Sequence, residues 1–108
     1  MNKVYIIGRI ARDLNIKFFG EINSPYTQFP LAVNEYNSSK KEEITNFIDI
    51  VAFGRRAELI NEFFAKGNQI SIEGHLRNRS YINKDNQKIY STSVVLDSFD
   101  FIDKKKSI

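Results

Sequence analysis

Two sets of side chains in this sequence have types and spacings suited to chemistry, and both point to binding. The first lies in residues 46–54, Asn-Phe-Ile-Asp-Ile-Val-Ala-Phe-Gly. Its β-branched and aromatic content, stopped by a glycine, predicts a strand. Alternation puts Ile48, Ile50 and Ala52 on one face and Phe47, Asp49, Val51 and Phe53 on the other. A charged Asp49 does not belong in a small core, so the second face reads as the wet one. Phe47 and Phe53 then stand where water reaches them, and exposed rings on a sheet form a platform for stacking nucleobases. Packing under a helix or against a second subunit is the alternative. The second set lies in residues 69–81, where Glu73, His75, Arg77, Arg79 and Tyr81 share an outward face just before the turn Asn83-Lys84-Asp85-Asn86. Two guanidinium groups beside a ring suit a phosphate backbone with unstacked bases.

Catalytic patterns are absent. The sequence contains no Gly-x-Ser-x-Gly, no glycine-rich phosphate loop ending in Lys-Ser/Thr and no His-Glu-x-x-His. His75 is the single histidine and there is no cysteine. That excludes disulfides and thiolate metal sites, and His75 reads as an outward sheet residue near a groove. Glu58 and Glu62 are like-charged helix neighbours, not an acid–base pair. No enzymatic activity, metal or cofactor is expected.

Composition sets the frame. A chain of 108 residues with 42% hydrophobic content makes one domain with one core. The net charge of +3 permits a polyanionic partner without demanding one. No apolar run approaches a membrane span, and residues 1–3 lead directly into a strand pattern, so a cytoplasmic protein without membrane contact is expected.

These residues need a scaffold, and the hydrophobic periods outline one. Residues 2–10 alternate, with Val4, Ile6, Gly8 and Ile10 inward and Lys3, Tyr5, Ile7 and Arg9 outward. Gly8 in mid-strand predicts a bend. Residues 16–19 could continue a bent strand, and residues 20–25 are turn-like. Residues 27–35 form a strand with Phe29, Leu31 and Val33 inward, and Pro30 marks an edge or bulge. Residues 36–43 read as a hairpin loop. After Gly54 the period changes to helical over residues 55–66. Leu59, Ile60, Phe63 and Phe64 make its buried stripe, and Lys66 and Gly67 end it. Residues 69–81 return to period two, with Ile70, Ile72, Gly74 and Leu76 inward. Residues 88–96 pair back with them, and the alternation resumes at Phe99 and Phe101 after a slip near Asp97 and Ser98. Three strands, a helix, then two more strands predict a mainly β fold, the five-stranded Greek-key barrel called the OB-fold, with one helix between strands 3 and 4. It occupies residues 1–103, and residues 104–108 form a short basic end.

Several segments together resemble the bacterial-type single-stranded DNA-binding (SSB) family. They are Asn2-Lys3-Val4-Tyr5-Ile6-Ile7-Gly8-Arg9-Ile10, Leu31-Ala32-Val33-Asn34, residues 47–54, and residues 62–67 with Phe63-Phe64 and Lys66-Gly67. The run Ile72-Glu73-Gly74-His75-Leu76-Arg77-Asn78-Arg79-Ser80-Tyr81 completes the set. The resemblance covers residues 2–102 with order and spacing kept. It implies sequence-independent binding of single-stranded DNA in replication, recombination or repair, by a homotetramer or a dimer. It carries the stacking aromatics onto Phe47, Phe53 and Tyr81, and groove cations onto Lys3, Arg9, Arg55, Arg77 and Arg79. Tryptophan often fills the positions of Phe47 and Tyr81. Tyr36 falls one residue before the family's fourth aromatic, where this chain has Asn37. A dimeric primosomal-type OB protein and an RNA-binding OB domain are the alternative readings. Family members usually continue into a Gly/Gln-rich linker with an acidic tip that recruits partners. Residues 103–108, Asp-Lys-Lys-Lys-Ser-Ile, are basic instead, so the expectation is a tailless form or a DNA-binding core, without tail-mediated recruitment.

Overall fold

The computed structural model describes residues 1–102, so the expected basic end at 104–108 lies outside the described residues. The chain runs β1 (Val4–Ile10), β2 (Lys17–Phe19), β3 (Ser24–Asn37), β4 (Glu42–Phe53), α1 (Arg55–Phe63), β5 (Gln69–Ile82) and β6 (Lys88–Phe101). The strands form one sheet in the order β1-β5-β6-β4-β3-β2, and a β1–β3 pairing closes five of them into the expected barrel. The helix lies between β4 and β5 rather than between a third and a fourth strand. The difference comes from residues 17–19, which do not extend β1. They form a strand of their own, folded back on Ser24–Tyr26 through a turn at Gly20–Asn23. This sixth strand lies outside the barrel.

The core holds the residues that the alternation turns inward. Ile10, Phe29, Leu31, Ile50, Ala52, Ile70, Ile72, Val94 and Leu96 are buried together, and Ala57, Ile60 and Phe64 close one end. Two glycines bear directly on the site and on barrel closure. Gly54 turns β4 into α1 with φ +65°, a left-handed conformation that disfavours a side chain. At Gly8 the closing strands come so near that an added Cβ would lie 2.5 Å from the Ala32 carbonyl oxygen. Pro30 removes no ladder bond. Its carbonyl accepts from Ala11 N–H at 3.0 Å, so its nitrogen also faces the β1 side, between the stretch of β3 paired with β2 and that paired with β1. The expected slip near Asp97 is a bulge: Glu73 pairs with Ser98 and Gly74 with Leu96, leaving Asp97 unopposed.

Three packing expectations change. The helix stops at Phe63, not at Lys66, because Phe64 turns extended (φ −122°, ψ 159°) while its N–H still reaches the Ile60 carbonyl. Phe64 takes the buried place and Phe63 stays 47% exposed, set edge-on against Phe101 with ring centroids 6.3 Å apart. Leu76 is exposed although its parity points inward. The β1 ladder ends at the Val4–Gly74 pair, so no layer covers β5 beyond it. The loop expected at 36–43 shrinks to residues 38–41, since β3 and β4 stay paired out to Asn37 and Glu42. Two long hairpins, β3–β4 and β5–β6, therefore run past the barrel as arms.

Gly8→Ala is expected to destabilise the barrel by about 1–3 kcal/mol, because the nearest neighbour is backbone that cannot move aside. Thermal unfolding checks this: each kcal/mol lowers Tm by roughly 4–8 °C in a domain of this size.

Candidate nucleic-acid interface

The site grows from the place where the two hairpins meet. There β4 and β6 run parallel for two residue pairs, Ile50 with Val94 and Val51 with Val95. Ile50 and Val94 face the core. Val51 and Val95 face out, yet they are only 4% and 6% exposed because residues of the flanking strands rise around them. The result is a recess of about 410 Å³ with a valine floor. Arg77 and Arg79 of β5 form one wall, Phe53 of β4, Tyr26 of β3 and Phe19 of β2 form the other, and Gln28 and Ser93 complete the lining. The wall rings are in contact: Phe19 lies 5.7 Å from Tyr26 and 6.0 Å from Phe53, both edge-on.

Asp49 corrects the sequence reading of this face. It does not mark open solvent. It is half-buried, accepting from Gln28 Nε2 at 3.0 and 2.8 Å and from the Ser93 hydroxyl. The face is a concave floor near the barrel and becomes a wet surface only along the arms. Phe47, on the arm of β4, is 65% exposed, and Tyr81, on the arm of β5, is 58% exposed. Phe53 is 36% exposed, since it stands in the ring cluster.

The other sequence candidates separate by position. Arg55 opens the helix beside the recess, adjoining Phe19, Phe53 and Arg77, with Glu58 3.9 Å from its guanidinium. Tyr36 lies exposed at the tip of the β3–β4 arm with Asn37 and Ile44. Lys3 precedes β1 and Arg9 lies on it, and neither lines the recess. Lys3 pairs with Glu73 at 3.3 Å and approaches Asp97 at 3.9 Å, and Arg9 donates to the Gly67 carbonyl at 2.9 Å. Among the described residues, Arg77 and Arg79 have no acidic partner within ion-pair distance. Phe19, Tyr26, Gln28 and Ser93 are missed by the sequence reading. A readable signal existed for two of them: an aromatic residue on each side of a glycine-containing turn, Phe19 and Tyr26, fits a hairpin carrying both rings on one face.

Residues 1–102 match the model of the single-strand binding protein family. The chain belongs to the SSB family. It is 41% identical over 103 residues to the single-stranded DNA-binding protein of Clostridium perfringens (strain 13 / Type A), covering 95% of this chain and 67% of the relative. It is 37% identical over 110 residues to that of Fusobacterium nucleatum, covering 99% and 70%. It is 33% identical over 108 residues to that of Staphylococcus aureus (strain MRSA252), covering 99% and 69%. Among the described residues no helix is long and apolar enough to cross a membrane, and no group of three or more His, Asp or Glu is placed to hold a metal ion.

Around the barrel from the recess, this SSB-family chain carries a cluster of polar and charged side chains on β5 and β6, joined by Lys3 just ahead of β1 and Arg56 of α1. His75 Nδ1 lies 3.1 Å from Asp97 Oδ2, and Ser98 donates to Glu73 at 3.1 Å. The His75 hydrogen bond, helped by the charges of His75, Lys3 and Arg56, holds the Asp97 carboxyl below its ordinary value against the opposing effect of burial. Hydrogen bonds from Ser98 and Lys3 do the same for Glu73, and the Glu73 bond raises Lys3.

A carboxylate lowered in the folded state contributes stability above its unfolded pKa and loses it as pH falls through the folded value. Asp97→Asn is therefore expected to be less stable than the parent at pH 7. The difference should shrink as pH drops below the ordinary carboxylate range and vanish below Asp97's lowered value. Thermal melts of both proteins from pH 7 to pH 3 check this.

Proposed function

We propose that this chain binds single-stranded DNA without marked sequence preference, as a non-catalytic protein of replication, recombination or repair in the cytoplasm. The observation that carries the reading is the pairing of unneutralised guanidiniums with aromatic rings across one recess. Among the described residues Arg77 and Arg79 have no acid within ion-pair distance, while Phe53, Tyr26 and Phe19 offer faces and edges opposite. Phosphates take the arginine side and bases the aromatic side. Phe47 and Tyr81 extend the track along the two arms, Arg55 adds a cation at one end, and Tyr36 adds a ring at the tip of one arm. Lys3 and Arg9 lie away from the recess, Lys3 beside Glu73 and Arg9 on the Gly67 carbonyl, and contribute through the field of the surface.

The test is a tyrosine-fluorescence titration with oligo-dT. Phe47→Ala and Tyr81→Ala should each weaken binding by about 1–3 kcal/mol per stacked base and leave the melting temperature nearly unchanged. Phe53→Ala should lower affinity and also stability, because Phe53 supports Phe19 and Tyr26. Ile50→Ala is the control: it is fully buried and should cost about 2–5 kcal/mol of folding stability instead. Arg77→Ala and Arg79→Ala should flatten the dependence of log K on log salt by about 0.7 for each phosphate no longer neutralised. Unchanged binding in Phe47→Ala and Tyr81→Ala together would overturn the stacking track.

The proposed assembly is a homotetramer, or a dimer, joined through β1. Tyr5 and Ile7 stand exposed between Lys3 and Arg9, and the β1–β3 pairing covers only Arg9 and Ile10, which leaves the earlier half of that strand edge open to a second copy. Ile7→Asp should split the oligomer. Sedimentation of the parent protein as a monomer at micromolar concentration would contradict this.

A further inference from the structure

The β5–β6 arm has two faces, and the recess belongs to only one of them. Arg77 and Arg79 line the recess, and alternation puts Tyr81 on their side of the ribbon. The register pairs Ser80 with Tyr90 and Ile82 with Lys88 on the reverse side. That side continues the core-facing parity of Val94 beyond the end of the barrel, where it is open to water. Tyr90 and Ile82 are each 68% exposed, and Leu76 is exposed nearer the barrel. The Lys88 ammonium lies 5.4 Å from the centroid of the Tyr90 ring.

A lysine beside an open ring matches the two halves of a nucleotide, since a base stacks on the ring and the ammonium meets a phosphate. A cation–π contact at an exposed site is weak, so it does not withhold the ammonium. Among the described residues Lys88 is the one charge on this reverse face between the barrel and the turn, and no carboxylate opposes it. Asn78, Ser80 and Thr92 interrupt its apolar side chains, unlike the dry centre of a protein–protein contact. The other arm supplies an internal comparison. Its reverse face carries Glu35 and Glu42, both exposed, around Ile44 and holds no aromatic ring. That face repels a polyanion, and the reverse of the β5–β6 arm attracts one.

We propose that single-stranded DNA folds over the β5–β6 arm and binds both of its faces, with Tyr81 stacking a base on the recess side and Tyr90 with Lys88 holding a nucleotide on the reverse. This rests on the reading that single-stranded DNA occupies the recess. The two faces are continuous for a flexible strand. Tyr81 follows Ser80, the partner of Tyr90, so the two rings stand at adjacent rungs on opposite sides of a ribbon two strands wide. Among the described residues neither edge of the ribbon pairs with another strand at that level. The β1 ladder stops at Gly74, and β4 meets β6 only at Val94 and Val95. The cross-strand bond from Thr92 to Asn78 braces the ribbon on the reverse face itself.

Titrations with two lengths of oligo-dT test this. A strand of about 8 nucleotides occupies the recess side, and one of about 20 exceeds the range of roughly 4–16 per OB domain and can round the arm. Tyr90→Ala should bind the short strand like the parent and the long strand about five- to 150-fold more weakly, the range for one stacked base. Tyr90→Phe should restore the long-strand affinity, which a lost hydroxyl contact would not allow. Lys88→Gln should flatten the salt dependence of long-strand binding by about 0.7 in the log–log slope and leave the short strand unaffected. Both positions are exposed, so melting temperatures should stay near the parent's. The inference is overturned if Tyr90→Ala binds the long strand like the parent, or if it weakens both lengths equally. It is also overturned if the substitution changes only the sedimentation of the DNA-free protein, which would make the face a contact with a second copy. If the parent binds neither length, the proposed function itself fails.

Discussion

The structure depends on a short parallel junction. The β3–β4 hairpin and the β5–β6 hairpin are each paired internally over twelve or more residue pairs, yet among the described residues their backbones pair with one another only at Ile50–Val94 and Val51–Val95. The first pair is a core contact and the second is the floor of the recess. The same backbone contact thus seals the barrel on one side and shapes a binding surface on the other. Burial of both faces at one point explains why a strand with a simple alternating pattern carries Val51 almost as deeply as Ile50.

The cations differ in the local partners that the fold gives them. Lys3 is drawn into Glu73 and Asp97, Arg9 and Arg12 donate to carbonyls, and Arg55 leans on Glu58. Among the described residues Arg77 and Arg79 have no acid within ion-pair distance. A net charge of +3 says little about such a surface, because it does not show which cations a nearby acid offsets. A cluster of acidic and histidine side chains is kept on the barrel wall beyond β6, where the Asp97 bulge brings His75, Lys3 and Arg56 around one carboxylate.

The arms extend the surface without adding a second core. Each carries a cross-strand side-chain bond at a corresponding place, Thr45 to Asn34 at 2.8 Å on one and Thr92 to Asn78 at 2.7 Å on the other. Such pairs stabilise a two-stranded ribbon that has little apolar surface to bury. They keep exposed rings such as Phe47 and Tyr81 on rigid backbone, which limits the conformational entropy lost when a flexible strand is bound.

By itself the sequence determined the barrel, its family, most inward residues of β1, β3, β4 and β5, and the bulge near Asp97. These are local signals: a strand alternates with period two whatever it packs against, and a block such as 72–81 keeps its motif in one dimension. Tertiary structure alone decided what each outward face meets. Asp49 reads as wet because a charge in isolation seeks water, but Gln28 from β3 and Ser93 from β6 reach it from strands distant in the chain. Lys3 and Arg77 look alike as outward cations, and only the fold puts Glu73 beside one and, among the described residues, no acid within ion-pair distance of the other. Phe19 and Tyr26 join the site because β2 folds back onto β3, a pairing that a three-residue strand is too short to announce through its own periodicity.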